Sequence, residues 1–445
     1  MTSPLSVPAF RTLFAAQICS LVGVGLLTVA LSLAAWRVGG PEAGGQVLGL
    51  LLALKMVAYV GFAPLSEAVL ARVPRKVAMA GLDAGRMALL VPMVFATAPW
   101  QIAALAFAFF VLASGFTPLF QSVIPDVLPE ESQYTRALAW SRIAYTLESV
   151  LSPVIAALVL KLVDPHALFL CAALAFAGSV AFLLATRFPA RGTLARKGPF
   201  LQRALQGMVI YGRTPRLRGL FLLTLALSLC MAWVLVNTVV YAGVRLGDAD
   251  GLYPVLMAGY GAGAALGAVF VPRLLRRIPE RRAMILGTCG FAALGALFAL
   301  MPQLPLVGLL AVWAGFGLTS SMALTPGGLV IAKSAGPDNR AAVFAAQFSL
   351  SHAGWLVAYP LAGALAAAYG LEHALLMLAG LSALTVLVAT RAWPAVDPIE
   401  RTHEHPDLPA DHPHLRNHDA QGAGRRHTHA YHIDDLHPRW ANAQV

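Results

Sequence analysis

Charge is what this sequence has least of. Asp, Glu, Lys and Arg supply 12% of 445 residues, about half the share in an ordinary soluble domain. So few charges cannot cover a water-exposed surface. Hydrophobic residues at 58% and a mean hydropathy of +0.71 override the two or three soluble domains that length alone would suggest. Cysteine is scarce too: Cys19, Cys171, Cys230 and Cys289 fall in separate apolar runs without CxxC spacing. That excludes a disulfide framework and a thiolate metal centre in the body of the chain. Met1–Arg11 has no basic start and no A-x-A site ahead of a long apolar run, so no cleaved signal peptide is expected. No nucleotide-binding, protease or hydrolase constellation occurs, and an enzyme is not expected. The Gly259, Gly261, Gly263 and Gly267 series follows no strand pattern and reads as close helix packing, as do Gly23 and Gly25. The net charge of +11 would fit nucleic acid, but the cations are confined to particular loops. That pattern orients membrane proteins, and no nucleic-acid partner is expected.

Long uncharged stretches are what is there. Residues 12–36, 87–125, 165–186, 219–244, 251–272, 283–332, 341–371 and 373–390 contain no Asp, Glu, Lys or Arg. About 20 apolar residues cross the hydrocarbon of a bilayer. Two of the stretches are long enough for two crossings each, breaking at Ala98-Pro99-Trp100 and at Met301-Pro302-Gln303-Leu304-Pro305. Two further apolar segments carry internal charge: 46–70 holds Lys55 and Glu67, and 138–160 holds Arg142 and Glu148. The sum is an all-α membrane protein of twelve transmembrane helices in two six-helix bundles. The bundles span 1–188 and 218–393, with a basic central loop at 189–217 and a His-rich tail at 394–445. Lys and Arg gather in the loops around 72–76, 187–218 and 273–282. This excess places both termini in the cytoplasm of a multi-pass protein of the bacterial inner membrane.

The halves repeat. Arg72-Val73-Pro74-Arg75-Lys76-Val77-Ala78-Met79 matches Arg277-Ile278-Pro279-Glu280-Arg281-Arg282-Ala283-Met284 at an offset of 205, and Arg136-Ala137 matches Arg340-Ala341 at 204. Two six-helix halves of like orientation enclose a site near mid-membrane in transporters.

On these residues the chain resembles the major facilitator superfamily over about residues 9–393. The turn at Arg72, Arg75 and Lys76 is a degenerate form of that family's G-x-x-x-D-R-x-G-R-R loop, with Glu67 at the glycine position and Ala71 at the acidic one. Ser152-Pro153-x-x-Ala156-Ala157 is similar to the proline-glycine motif of proton-coupled exporters. Phe116-Thr117-Pro118-Leu119-Phe120-Gln121, with Ile124-Pro125-Asp126, resembles a proton-antiporter subgroup containing drug, siderophore and nickel exporters. The resemblance implies a substrate cavity between the bundles and a chain that acts as a monomer.

Ionisable groups inside a bilayer are costly and invite a functional reading. Glu148 and His352 each lie 12 residues past the repeated Arg136 and Arg340, about 18 Å along a helix. They are therefore repeat-equivalent and near the midplane. With Lys55, whose repeat counterpart is Tyr260, they form a proton-coupling candidate; the alternative is helix packing through hydrogen bonds and an ion pair. Asp83 and Arg86, with Arg72, Arg75 and Lys76, read as a gating charge network. Gln17, Gln121 and Asn237 lie on helices that line the cavity in the resembled family, or else simply bond helix to helix.

Beyond Trp393 the chain turns polar, and nine of its twelve histidines fall there: His403, His405, His412, His414, His418, His427, His429, His432 and His437. Such a composition predicts disorder. Imidazoles interleaved with Asp434 and Asp435 also offer donors for a divalent transition metal, from zinc and copper to nickel and cobalt. The alternative is a solvated or pH-responsive tail. The run from Tyr431 to Trp440 keeps apolar residues suited to docking on the membrane domain. A His-rich tail on this fold resembles the nickel-efflux branch of the superfamily. The leading expectation is proton-coupled efflux of a divalent metal, nickel or cobalt first, with no resident cofactor in the transport core. An exporter of drugs or siderophores, or a non-transporting metal or pH sensor on the same fold, stays open.

Overall fold

The computed structural model describes residues 4–70, 73–128, 131–188, 200–336, 340–405, 408–409, 412–416, 426–434, 436–437 and 439–440. After a 3-10 turn at Pro4–Ser6, helix α1 runs over Pro8–Leu70 and bends at Gly40, whose φ of 59° only glycine adopts readily, so it forms two antiparallel legs. Then come α2 (Arg75–Met93), α3 (Pro99–Val127), α4 (Glu131–Val159) and α5 (Ala167–Ala185). These complete the first six-helix bundle.

The second bundle comprises α7 (Pro215–Leu246), α8 (Ala249–Leu274), α9 (Glu280–Leu300), α10 (Leu306–Leu324), α12 (Arg340–Tyr369) and α13 (Leu371–Ala392). A short α11 (Gly327–Ser334) follows α10, and an amphipathic α6 (Phe200–Arg213) links the bundles within the basic loop. Among the described residues, two legs of α1 and ten further helices make twelve helical passes, and nine helical segments, the whole of α1 counted as one, are long and apolar enough to cross a membrane. Arg75 opens α2 and Glu280 opens α9, so the sequence repeat at 205 coincides with the third helix of each bundle.

Local chemistry sets the helix ends. Proline occupies the first position of α3 and α7, where its missing N–H is not needed. The Gln101 side chain accepts from the backbone N–H groups of Thr97 and Ala98, both at 3.1 Å. Asp248 caps α8 by accepting from Gly251 N at 2.8 Å. The glycine series of α8 does what its spacing implied: a side chain at Gly259 or Gly267 would meet α10 at Leu310 or Ser321, and one at Gly263 would strike the carbonyl of Ala314. Apolar side chains also turn outward, with Phe95 77%, Leu174 72% and Val307 78% exposed. Hydrocarbon covers such a surface in a membrane protein.

The tail departs from the expected disorder wherever it is described. β1 (Glu400–His403) pairs antiparallel with β2 (His427–Ala430), and a short α14 (Pro413–Arg416) lies between them. The reason is packing that composition does not reveal. Tyr431 and Ile433 are buried in an apolar cluster with Ile210, Leu217, Val330 and Trp393, and Trp440 packs against it. Asp397 ties the tail down through Arg216 of α7 at 3.0 Å and Arg401 at 2.7 Å.

Candidate functional site

The two bundles meet at one end, where the turns around Gly40 and Gly247 lie. Arg37 pairs with Asp250 at 2.8 Å, and the Tyr253 hydroxyl donates to Ser32 Oγ at 2.9 Å. Trp36 packs over Gly243, and Gly49 faces the carbonyl of Tyr359. Glycine is needed there because a Cβ at Gly363 would sit 2.5 Å from the Gly45 carbonyl oxygen. These cross-bundle contacts hold one end shut. Asn237 belongs to this seam, not to a central cavity. Its Nδ2 donates to Ala362 O at 3.1 Å, its Oδ1 abuts Gly45, and it lines a cavity of about 230 Å³ with Glu42, Gln46, Arg245 and Glu372.

Deeper in, the structure gathers part of the predicted coupling set. Glu148 on α4 faces Gly25 of α1; a Cβ there would come within 3.0 Å of Glu148 Oε1 and would clash with Ser152, one turn further along α4. Lys55, on the second leg of α1, lies within electrostatic reach of both Glu148 and His352 but makes no ion pair with either within 4 Å. Its ammonium lies 5.6 Å from the Tyr59 ring centroid and 5.8 Å from that of Phe110. The Tyr59 ring in turn lies tilted against that of His352 of α12, with centroids 5.9 Å apart, and His352 Nδ1 is 2.7 Å from Phe348 O. Lys55 and His352 thus meet across the bundle interface through one tyrosine. Tyr260, the repeat counterpart of Lys55, donates instead to Ser320 Oγ at 2.9 Å inside the second bundle.

The other predicted residues separate. Gln17 donates to Ser141 Oγ at 2.6 Å within the first bundle, beside the Thr117–Tyr145 pair at 3.0 Å. The side chain of Gln121 and the whole of Arg72 lie outside the described residues. Asp83 and Arg86 form an ion pair with each other, and Asp83 Oδ2 also accepts from Ser179 Oγ at 2.5 Å. The Arg86 guanidinium lies 4.5 Å and 4.7 Å from the Phe116 and Phe176 ring centroids. The pair is locked among α2, α3 and α5, with 2% and 0% exposure. Arg75 and Lys76 sit at the start of α2, partly exposed. Sequence reasoning missed Tyr59, Ser141 and Ser179, because no spacing rule marks a neutral hydroxyl.

The densest chemistry lies in the tail. His403, His405, His414 and His437 bring one nitrogen each within 4.8 Å of one another, and so do His403, His414, His427 and His429. The closest Nε2–Nε2 separations are 3.0 Å for His403–His437, 3.1 Å for His405–His437 and 2.9 Å for His414–His427. Nitrogens about 2.1 Å from a shared ion would lie about 3.0–3.4 Å apart in octahedral or tetrahedral geometry. The outer nitrogens are tied off: His437 Nδ1 is 2.7 Å from Asp434 Oδ1, His403 Nδ1 is 3.1 Å from Arg401 O and His429 Nδ1 is 2.8 Å from Ala430 O. Such partners orient imidazoles toward a metal. Burial holds His403 down at about 4 and His414 at about 3, with neighbouring imidazoles adding to the effect, so these two imidazoles stay neutral and able to donate lone pairs. His412 Nδ1 accepts from His414 N at 3.3 Å instead, and His432 lies against Gly336. His418 and Asp435 fall outside the described residues.

Two six-helix bundles joined at one end by cross-bundle contacts, with Lys55, Glu148 and His352 brought near one another between them, are the architecture of a multi-pass membrane transporter. The family model described as Major Facilitator Superfamily matches residues 13–302 and 247–412, and the chain belongs to that superfamily. No curated protein sequence matches the chain. Among solved structures it is similar to the nucleoside transporter NupG, in its D323A mutant form, at a TM-score of 0.72 and 14% identity over 86% of this chain and 100% of that one. It is similar to a bacterial homologue of the human lysosomal transporter Spinster in its inward-facing, unoccupied conformation, at 0.69 and 15% over 87% and 99%. A D-xylose-proton symporter matches at 0.63 and 13% over 87% and 98%.

Proposed function

We propose that this chain is a proton-coupled exporter of a divalent transition metal, nickel or cobalt first, acting as a monomer in the bacterial inner membrane. The observation that carries the reading is the nest of imidazoles docked on the second bundle. Neutral imidazole is the ligand suited to nickel, cobalt, copper and zinc. The nest lies at the end of the bundle that bears Arg213, Arg216, Arg281 and Arg282, and the excess of basic residues there makes it the cytoplasmic end. Both termini then face the cytoplasm, and the tail collects metal on the side from which export starts. Asp434 orients His437, and Asp435, His412, His418 and His432 are further donors that the tail sequence offers.

In the core, Glu148 takes and releases the coupling proton, with Lys55 and His352 biasing it from across the interface. Gln17, Gln121 and Asn237 contribute polar lining as access alternates, and Arg72, Arg75 and Lys76 act at the cytoplasmic gate. Bilayer, protons and the metal as substrate are the only partners the reading needs. One observation favours a second reading: the Lys55 ammonium repels a cation, which suits an exporter of anionic chelates such as siderophores.

The test is the tolerance of a deletion strain to nickel, cobalt, zinc and copper and to a panel of drugs and siderophores, with and without the cloned gene. Selective loss of metal tolerance supports the proposal. Wild-type metal tolerance with lost drug or siderophore tolerance would replace it with the second reading.

A further inference from the structure

Six described histidines of the tail converge from three short segments. His403 ends β1 and stands directly opposite His427 in the ladder, and His405 and His429 follow two residues on. Side chains two apart on a strand share a face, so both His-x-His pairs project to one side. α14 brings His414 to that side, and the chain beyond β2 returns to add His437.

The rings form a regular figure. His403 lies 4.9, 4.4, 4.7 and 4.8 Å from His405, His427, His429 and His437, centroid to centroid. His414 lies 4.9, 4.8, 4.8 and 5.1 Å from the same four. Those four make a closed belt, with His405–His427 at 5.4 Å, His427–His429 at 5.2 Å, His429–His437 at 5.2 Å and His437–His405 at 4.9 Å. His403 and His414, 6.3 Å apart, are the poles on either side of it. These are the proportions of an octahedron. Imidazoles bound at about 2.1 Å to one ion would place neighbouring ring centroids about 4.5 Å apart and opposite ones about 6.4 Å apart.

The nitrogens agree. Neighbouring donors would be about 3.0 Å apart in an octahedron and about 3.4 Å apart in a tetrahedron. The Nε2 pairs His403–His437, His405–His437 and His414–His427 are at 3.0, 3.1 and 2.9 Å. The donor nitrogens of the two poles lie within 4.8 Å of each other, where opposite corners would be about 4.2 Å apart. The two four-histidine groups share both poles, so they are halves of one figure.

We infer that the six imidazoles form one octahedral site for a single divalent ion, which takes nickel(II) or cobalt(II), able to accept six nitrogen donors, in preference to zinc, which favours four. This rests on the reading of the nest as a metal site and adds its geometry, its stoichiometry and its choice of ion. All six ligands belong to the tail, so the ion ties β1, α14 and β2 into one unit.

The experiment uses the untagged full-length protein in detergent, with His405→Ala and His429→Ala, each of which belongs to one four-histidine group only. Cobalt(II) is titrated while its visible spectrum is recorded, and dialysis against equimolar nickel and zinc then shows which ion is retained. One octahedral site predicts weak visible bands for the first equivalent and nickel retained over zinc. It also predicts cobalt affinity lowered by about tenfold or more in both variants. The intense bands of tetrahedral cobalt, zinc retained over nickel, or loss in one variant with the other unchanged would overturn the octahedron and leave the metal reading standing. Failure of the wild type to bind cobalt or nickel would remove both. The wild-type spectrum decides even where a variant fails to fold.

Discussion

His437 stands between Asp434 and His403, with Nδ1 2.7 Å from the carboxylate and Nε2 3.0 Å from the partner's Nε2. The carboxylate fixes the His437 proton on Nδ1 and leaves a lone pair on Nε2. The Arg401 carbonyl does the same for His403. Two lone pairs at that distance repel until a cation shares them. Asp434→Asn should therefore weaken nickel binding by about 10–100-fold, the usual cost of losing such a partner, and His437→Ala should weaken it further. Calorimetry on the full-length protein checks this, and unchanged affinity in both variants would separate the nest from metal.

The same imidazoles set a pH window. His403 and His414 are held below the ordinary 6.5, at about 4 and about 3, by burial first and like-charged neighbours second; His405 is lowered by the same causes. A lowered value in the docked state means that the docked tail binds fewer protons than the free tail between those values and 6.5. Docking is then fully favoured above 6.5 and weakens as pH falls toward 3–4. Hydrogen exchange of the 427–433 amides, corrected for intrinsic rates, should show protection lost on acidification. Protection that grows on acidification would reverse the sign and the argument with it.

Asp83 and Arg86 pose a separate question, because the sequence grouped them with a gate and the structure packs them inside the first bundle. Asp83→Asn leaves the Arg86 guanidinium buried without its counter-charge, a loss of about 3–5 kcal/mol. Asp83→Leu with Arg86→Met removes both charges and should recover most of that. Thermal unfolding of the two variants in detergent decides. A stable Asp83→Asn protein with altered transport would return the pair to gating.

The twelve helical passes were legible because each obeys a one-dimensional rule: enough uncharged residues, then a proline or a basic turn. The pairing of Arg75 with Glu280 as helix starts followed from the repeat. Contacts across the interface were not legible. Nothing in the sequence says that Tyr59 joins Lys55 to His352, or that Asn237 lies against Gly45 in the closed end, because those neighbours are 190 to 300 residues apart. The tail misled for the opposite reason. Its composition is that of a disordered chain, yet Tyr431, Ile433 and Trp440 find an apolar surface on the second bundle, and His403 pairs in register with His427.

The closed end gives a conformational prediction. A Cβ at Gly363 would sit 2.5 Å from the Gly45 carbonyl oxygen, and one at Gly49 equally close to that of Tyr359. Backbone cannot yield there without parting the helices. Gly363→Ala and Gly49→Ala should shift the population toward a form open at this end. In a Cys-free background, Val240→Cys on the seam should then react several-fold faster with a membrane-impermeant maleimide. Unchanged labelling would mean that the closed end does not separate during the cycle.

Glu148 carries the coupling proposal and meets the strictest test. It lies on α4 five residues before Pro153, faces Gly25 of α1, and has Lys55 within electrostatic reach. A carboxylate at that depth costs a few kcal/mol when charged, and the cost changes with access to water and with the distance to Lys55. Both change as the bundles rock, so protonation follows the side to which the site is open. Glu148→Gln preserves volume and hydrogen bonding and removes the titratable charge. It should abolish export driven by a pH gradient while leaving expression and substrate exchange down a concentration gradient largely intact. A glutamate that only packs α4 against α1 predicts the reverse, with poor folding and residual activity still driven by the gradient. Proteoliposomes loaded with metal, with and without an imposed pH gradient, distinguish the two. Undiminished gradient-driven export by the glutamine variant would move coupling to another residue, with His352 next in line because it shares Lys55 and the interface.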